Sequence, residues 1–588
     1  MTLWLLLLTM GLPWLGALAV WLLGDRRQHL QQTTAVVFAV GAGLAAVGLL
    51  PLASSRVVWR VSLGTVFGDV VFIADGLGVF LAVVATVIGS LAVIFSTEYM
   101  RGDAQLGRYY ALVLLFIGAM AGLVLTSSLL LLFLFWEITA LCSYALISFH
   151  NDDPKAVAGG IKALIITSLG GVGLLAGSMI AYTYLGTVDI NSFLAQANRL
   201  PPAVLSLIAF GFLAAAAAKS AQVPFHTWLP DAMEAPTPVS ALIHAATMVN
   251  AGVYLLARFY PAFESVPGWT LAVVAVGLLS ALLAAVMALA ANDLKRVLAY
   301  STVSQLGYMV YAIGVGGVFA SQFHLLSHAV FKALLFLGAG AVIHTVGTRD
   351  IRQMGGLGRQ MPFVRNAFII GALALAGLPI ANGFWSKELI LETGLHEGPA
   401  WAYAGMLIGA GLTALYTFRM VWMVFMGEAR GKGPAHDAPS AMRLSLYPLA
   451  IGSVSTWLFV GPFGHMLGIS LPYHNDVLHA RPTGAMIGEV LRAPATYLAL
   501  AVILLGLFAW RWRTRHASAA TALTGRFAGL ARIAASSFGF EWINRQVVMG
   551  VQGAASVLRV LHTGHLNWNI VGIVCGLIVV LAILAWGA

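Results

Sequence analysis

Charged residues are scarce in this sequence of 588 residues, of which only 9% are Asp, Glu, Lys or Arg. A soluble domain carries about 25%, so the sequence excludes a soluble globular protein. Apolar residues make up 60% of the chain, and the mean hydropathy is +0.89. Apolar runs of about 20 residues, each able to cross ~30 Å of hydrocarbon, recur from end to end. We therefore expect an all-α, polytopic transmembrane helical bundle.

Cysteine is almost absent, since Cys142 and Cys575 are the only two. The sequence has no CxxC, no Cys/His cluster and no GxGxxG, so we expect no metal, iron–sulfur or dinucleotide site and no cofactor on this chain. Any redox chemistry that the protein serves must then reside on another chain. The net charge of +10 does not indicate nucleic acid, because the basic residues lie between apolar runs.

The apolar runs number about sixteen. They lie at residues 2–23, 34–54, 76–97, 109–126, 128–149, 161–184, 204–221, 240–259, 268–290, 294–314, 318–345, 363–391, 399–426, 444–469, 493–511 and 567–587. The first run lacks a basic n-region and is too long for the h-region of a signal peptide, so we interpret it as a retained span. Lys and Arg concentrate in the loops after odd-numbered spans. The positive-inside rule then places both termini outside, with the basic loops in the cytoplasm of a bacterial inner membrane.

Two runs are interrupted beside a lysine. Four prolines lie between residues 224 and 238, shortly after Lys219, and the sequence GLPIANG lies just before Lys387. A helix broken at membrane depth is tolerated only inside protein or beside a water-filled cavity. Two matching breaks predict two repeat halves, and in transporters such breaks mark the ion path.

These features predict a division of the chain into six parts. N-terminal helices occupy 1–108, a first repeat 109–260, a second repeat 261–426 and C-terminal helices 427–515. Residues 516–566 alternate apolar and charged residues at helical spacing, which predicts an amphipathic helix at the cytoplasmic membrane surface. A last transmembrane helix follows at 567–588.

Three charges within the apolar runs of the first predicted repeat are candidate path residues. Glu137 follows the unbroken run from Leu129 to Trp136, and intramembrane carboxylates are functional by default, although a helix–helix ion pair is an alternative. Lys219 follows five alanines, which let a neighbouring helix approach closely; an amine buried there can release and regain a proton. Lys162 lies nearer a membrane edge, where it either joins the path or snorkels.

His324, His328 and Lys332 recur at every fourth residue, which places them on one helix face. Imidazoles titrate near neutral pH, so this stripe is typical of a proton wire. Two histidines at this spacing are too few for a metal site. His244 either extends the wire or is an ordinary core histidine.

The remaining candidates are Lys387, Glu388 and Lys295. Lys387 and Glu388 are adjacent, so one can face the path while the other pairs elsewhere. Lys295 begins a span beside Asp293 and Arg296, where it is either a path residue or a topology anchor.

Five motifs resemble the antiporter-like subunits shared by respiratory complex I and the Mrp-type cation/proton antiporters. They are KSAQVPFHTWLPDAMEAPTPVSALIHAATMVNAGVYLLAR from Lys219, FWEITALCSYALISF from Phe135, LKRVLAYSTVSQLGYM from Leu294, HAVFKALLFLGAG from His328 and NGFWSKELIL from Asn382. The resemblance implies two inverted five-helix repeats, each with a broken helix, and a buried axis of Glu and Lys.

The resemblance also implies roles for individual residues. Glu137 and Lys219 match the family's coupled pair, Lys295 the lysine that opens the second half-channel, and Lys387 the terminal lysine. The three residues of the stripe match the central connection: His324, His328 and Lys332.

The motifs are divided between the two branches of the family. MEAPTPV, GTRDIRQMGGL and SKE are similar to the Mrp large subunit, whereas SALIHAATMV and LCSYALI are similar to the distal, L-type subunit of complex I. Gly170 and Gly171 stand where the complex I form has a carboxylate.

We therefore expect a proton-translocating subunit of a complex like NADH:quinone oxidoreductase, with other membrane subunits and lipid as partners. Two alternatives remain open. One is a Na+(K+)/H+ antiporter subunit of Mrp type, and the other is a structural subunit with a vestigial polar axis.

Overall fold

The computed structural model describes residues 2–62, 69–430, 435–470, 482–515 and 528–561. Thirteen helices in these ranges are long and apolar enough to cross a membrane. The architecture is therefore the expected polytopic helical bundle. The count of sixteen spans stays a prediction, because the last span, 567–587, lies outside the described residues. Residues 2–538 form one compact unit, and a second begins at Gly539.

A short β-hairpin, which the all-α prediction missed, follows the first two helices. Helices α1 (Thr2–Leu23) and α2 (Gln28–Leu49) are followed by antiparallel strands β1 (Val57–Val61) and β2 (Val70–Ala74). The strands read VVWRV and VVFIA, and such β-branched and aromatic residues favour extended structure over helix. The hairpin leads directly into α3 (Gly76–Tyr99).

The first predicted repeat contains four long helices before its break. They are α4 (Leu106–Leu125), α5 (Leu129–Ile147), α6 (Pro154–Leu185) and α8 (Pro202–Lys219), with the short α7 (Ile190–Gln196) between the last two. Asp and Ser side chains cap the starts of α3, α5, α6 and α7 by accepting backbone N–H groups.

The first predicted break is confirmed. Helix α8 ends at Lys219, and the prolines divide the following chain into the short helices α9 (Trp228–Asp231) and α10 (Thr237–Ala241). One turn of π-helix (Leu242–Ala246) then leads into α11 (Met248–Phe263), and every residue of this turn is buried. The prolines cannot donate backbone hydrogen bonds, which is why the helix does not continue.

The second predicted break is confirmed as well. Helices α12 (Trp269–Ala290), α13 (Leu294–Gly314) and α14 (Val318–Val346) precede it. The predicted span 363–391 is two helices, α15 (Pro362–Ala376) and α16 (Asn382–Glu397), and α17 (Ala400–Phe425) follows. Gly383 lies so close to the Ala374 carbonyl that a side chain there would collide with it. The two half-helices therefore cross at a point that admits only glycine.

A matching pair of isolated β-bridges supports the two-repeat organisation. In the first half Leu129 donates to Val188 O (2.8 Å), between the start of α5 and the residues after α6. In the second half Leu294 donates to Arg349 O (2.8 Å), between the start of α13 and the residues after α14. In each half the broken helix comes next. The repeat boundaries 109–260 and 261–426 stay predictions.

The C-terminal part contains shorter helices. They are α18 (Ser440–Ser455), α19 (Val460–Ser470), α20 (Thr483–Arg492), α21 (Pro494–Arg515), α22 (Ala528–Ala535) and α23 (Phe540–Leu561). Within the predicted amphipathic segment 516–566, the described part is thus two helices with a turn at Ser536. The polar residues Glu541, Arg545, Gln552 and Arg559 fall on one face of α23, as expected for an amphipathic helix.

Candidate functional site

The structure buries almost every candidate residue within the helical bundle. Lys219, His244, Lys295, His324, His328, Lys332, Lys387 and Glu388 are each at most 3% exposed. Only Lys162 (7% exposed) and the partly buried Glu137 retain more contact with the surface. Charge buried in this way needs a local polar partner, so the partners decide what each residue can do.

Glu137 and Lys219 form no direct ion pair. Lys219 instead contacts Trp136, the residue before Glu137. The Lys219 ammonium donates to Trp136 O at 2.6 Å and lies 5.0 Å from the centre of the Trp136 ring. The Glu137 carboxylate accepts a 2.6 Å hydrogen bond from Ser168 on α6, while Oε1 has no hydrogen-bond partner among the described residues. The Glu137 carboxylate therefore acts on the Lys219 amine through space and not through a mutual hydrogen bond.

Gly171 makes room for this carboxylate. A Cβ at position 171 would lie 2.5 Å from Glu137 Oε1, well inside contact distance. Sequence reasoning noted Gly171 only as the place of a missing carboxylate, and it did not single out Ser168. Serine and glycine are ordinary residues in membrane helices, so neither gave a signal.

Lys162 belongs to a cluster of ion pairs. Its ammonium forms an ion pair with Asp231 at 2.8 Å, and Arg296 contacts the other oxygen of the same carboxylate at 3.1 Å. Asp231 belongs to α9, between the prolines of the first break. The cluster therefore fixes the broken segment to α6 and α13, and Asp231 is a residue that sequence reasoning missed.

Lys295 points into the protein, whereas its neighbour Arg296 forms an ion pair with Asp231 nearer the surface. The Lys295 ammonium donates to Ala235 O at 2.5 Å, within the first break. Arg349, Asp293 and Glu234 are the charged groups that act on it. The burial of its amine favours the path interpretation of Lys295 over the topology anchor, and its role stays a prediction.

His244 lies in the π-helical turn of the first half and faces α14 of the second half. Its ring packs against Phe336 with centroids 4.6 Å apart, and neither nitrogen has a hydrogen-bond partner among the described residues. Lys332 and Lys295 both act on it electrostatically. A buried imidazole with two free nitrogens is suited to bonds with water, since interior polar groups are otherwise paired.

The stripe on α14 faces the polar side chains of α13. His324 Nε2 lies 3.1 Å from Gln305 Oε1, and Lys332 donates to Ser301 Oγ at 2.7 Å. His328, between them, has no hydrogen-bond partner for either nitrogen in the described part of the chain. The predicted common face is confirmed, and its neutral partners on α13 were not predicted.

The stripe continues to the second break. His324 Nδ1 lies 2.9 Å from Ser386 Oγ, one residue before Lys387. Lys387 donates to Leu375 O at 2.9 Å, a carbonyl at the end of α15 that the break leaves free. Glu388 is buried on another side of α16, near Thr496 of α21. As expected, the adjacent charges face different surroundings.

A buried ion pair outside this axis escaped the sequence reasoning. The Arg258 guanidinium forms a bidentate pair with Asp75 at 2.5 and 2.9 Å, and both side chains are almost completely buried. Asp75 also caps α3 through Gly78 N. The pair ties α11 to α3, which is a structural role.

Chemically, the axis offers amines, imidazoles and carboxylates in series, with hydroxyls and carbonyls between them. The ionisable side chains can hold or pass protons, and the hydroxyls and carbonyls form hydrogen bonds with them. Within the described ranges, no group of three His, Cys, Asp or Glu side chains could hold a metal ion.

Comparisons with known proteins agree with this geometry. The transmembrane family model of NADH:quinone oxidoreductase and Mrp antiporters matches residues 126–413, and the complex I chain 5 N-terminus model matches 59–110. NADH-quinone oxidoreductase subunit L of Escherichia coli (strain K12) is 38% identical over 554 residues, covering 87% of this chain and 86% of that protein.

Two solved structures share the fold. A chain of the Mrp complex from Dietzia sp. DQ12-45-1b matches with a TM-score of 0.81 at 29% identity, covering 99% of this chain but only 63% of that one. A chain of the membrane-bound sulfane sulfur reductase, an archaeal respiratory membrane complex, matches with a TM-score of 0.71 at 26% identity. It covers 82% of this chain and 99% of the reductase chain. The relatives are subunits of multi-subunit membrane complexes, and the chain belongs to the antiporter-like membrane subunit family of NADH:quinone oxidoreductases and Mrp antiporters.

Proposed function

We propose that the chain is a proton-translocating subunit of a complex-I-related membrane complex. The observation that carries this proposal is the series of buried ionisable side chains from Glu137, through Lys219 and the α14 stripe, to Lys387. Keeping so many titratable groups inside an apolar bundle is costly, which favours a functional role for them. The name of the E. coli relative supports redox coupling, with the electron carriers on partner chains and no cofactor on this one.

Transfer along the axis would use the neutral and charged forms of the same side chains. Burial disfavours the charged amine, while a nearby carboxylate favours it. Lys219 stands at the end of a broken helix, so a small movement of that end changes its distance to Glu137. The amine then takes up or releases a proton without any change of covalent structure.

The direct test is substitution of Glu137 in the whole complex, reconstituted in proteoliposomes with proton uptake as the readout. Glu137→Gln should lower translocation by about tenfold or more, which corresponds to at least ~1.4 kcal/mol on the transfer barrier. Glu428→Gln, in an exposed loop, is the matched control and should leave transport intact. Normal pumping by Glu137→Gln would favour the structural alternative with a vestigial axis.

The fold match to the Mrp chain, which covers 99% of this chain, keeps a second candidate function open. An antiporter subunit would exchange Na+ or K+ for protons without an electron donor. Vesicles that hold the complex and a cation gradient distinguish the two: proton movement on addition of Na+ or K+ alone favours the antiporter.

We further propose that the protein resides in a bacterial inner membrane, with both termini outside and the loops of Arg349 and Arg352 in the cytoplasm. The concentration of Lys and Arg on that side supports this orientation. Partner membrane subunits and lipid would cover the exposed apolar helix faces.

A further inference from the structure

Trp136 lies beside both charges of the Glu137–Lys219 pair and is completely buried. Its carbonyl oxygen accepts hydrogen bonds from Lys219 Nζ at 2.6 Å and from Thr139 Oγ1 at 2.7 Å. The centre of its ring lies 5.0 Å from the same Nζ. A single residue of α5 therefore contacts the amine through its backbone and through its side chain.

The face of the indole ring acts on the charged form of the amine. An aromatic face carries negative electrostatic potential and attracts a cation within about 6 Å, more strongly where water is excluded. Lys219 is completely buried, and Glu137 and Cys142, both on α5, are the titratable groups that act on it electrostatically. The ring therefore favours the ammonium over the neutral amine without adding a charge to the site.

The edge of the same ring borders the carboxylate. Trp136 Nε1 is buried and has no hydrogen-bond partner among the described residues, and the same holds for Glu137 Oε1. A Cβ on Gly171 would lie 3.5 Å from the first of these atoms and 2.5 Å from the second, so both border one small space. A buried donor and a buried acceptor around one space are suited to a bridging water. The ring thus has the amine at its face and the carboxylate at its edge.

We propose that Trp136 is a positioning residue for proton exchange at Lys219, and that its ring face determines how readily the amine keeps its proton. The indole itself gives up no proton, because its N–H is only a hydrogen-bond donor. Since Trp136 and Glu137 are adjacent, a withdrawal of the end of α8 from α5 weakens both attractions on the ammonium at once. The inference rests on the proposed function and adds an uncharged residue to its pair of charges.

Site-specific incorporation of fluorotryptophans at position 136 tests the ring alone, because fluorine withdraws electron density from the ring face and barely changes its shape. Proton translocation by the reconstituted complex should fall stepwise at alkaline pH, by about tenfold across the mono-, di- and trifluoro series. It should recover as the pH is lowered, since a higher proton concentration compensates for an ammonium that is less stabilised. Trp269, equally buried and packed against Phe263, is the matched control and should be insensitive to fluorine. Equal rates throughout the series, or a loss that acid does not restore, overturn the inference.

Trp136→Phe and Trp136→Leu extend the test to the whole side chain. Phenylalanine keeps an aromatic face without the N–H, whereas leucine keeps only apolar bulk. Translocation per assembled complex should decrease in the order Trp, Phe, Leu at alkaline pH, and the three rates should converge in acid. A leucine variant as active as the phenylalanine variant contradicts the role of the ring, and if the leucine variant does not assemble, the fluorine series decides. Normal pumping by Glu137→Gln means that the proposed function fails, whereas loss of pumping in Glu137→Gln with no effect of fluorine means that only the role of Trp136 fails.

Discussion

The ammonium group of Lys219 is held by a carbonyl oxygen and an indole ring, with the Glu137 carboxylate one residue further along α5. An amine in this position keeps a neutral form within reach, because its hydrogen-bond acceptor is uncharged. An arginine would not, since guanidinium stays protonated in proteins. The identity of the side chain, and not only its charge, is therefore what the site needs.

Lys219→Arg should consequently lower proton translocation by roughly tenfold or more while the complex still assembles. The measurement is the initial rate of proton uptake per assembled complex, with Lys155→Arg on the exposed start of α6 as the control. Full pumping by Lys219→Arg would show that position 219 supplies a fixed charge and no exchangeable proton.

Gly171→Ala tests the other half of the pair. The added methyl lies 2.5 Å from Glu137 Oε1, so the carboxylate must shift from its present position. Translocation should fall several-fold, and thermal stability should change by no more than the ~1–3 kcal/mol typical of one overpacked methyl. Gly484→Ala, with no atom within 4 Å of its added Cβ, should match the parent. Equal transport by both variants would mean that the carboxylate position is not critical.

The charged members of the axis were predictable from the sequence. A charge inside an apolar run costs free energy, so its presence there indicates a function. Their neutral partners were not. Ser301 and Gln305 lie in a motif that had been noticed, yet nothing in one sequence tells which hydroxyl or amide faces which lysine. Those pairings depend on how α13 packs against α14, which is a property of the folded bundle.

At the scale of elements, each broken helix provides a backbone carbonyl group that accepts a hydrogen bond from a buried lysine. A break frees carbonyl groups that a continuous helix would use, and Lys387 takes one of them at Leu375. The prolines and glycines of the sequence predicted both breaks. The β-hairpin was missed because it lies in a short stretch between two strong apolar runs, where hydropathy dominates the interpretation.

Gly383→Ala should damage the second break directly. Its Cβ would collide with the Ala374 carbonyl, which is backbone and cannot rotate away. We expect less assembled complex and a free energy of unfolding lower by ~1–3 kcal/mol or more, seen as a lower melting temperature of the purified complex. Gly488→Ala, which has open space around it, is the control. An unchanged melting temperature would show that α15 and α16 separate easily.

At the scale of the whole molecule, orientation can be measured without any functional assay. Arg352 is exposed in the loop after α14 and bonds to Asp350. In a cysteine-free chain, Arg352→Cys should react with an impermeant thiol reagent from the cytoplasmic side only. A cysteine in place of Arg60, on the hairpin, should react from the opposite side. Reversed labelling of the two positions would invert the topology.

The paired β-bridges define equivalent positions in the two halves. Nine residues after Ser128, the bridge residue before α5, stands Glu137; nine residues after Asp293, its counterpart before α13, stands Thr302. The halves thus share a scaffold but not a charge, because an acid in one corresponds to a hydroxyl in the other. Two identical halves of opposite orientation would have no preferred direction across the membrane. The two halves therefore differ in charge at this position, and under the proposed function that difference would distinguish the two directions of proton transfer.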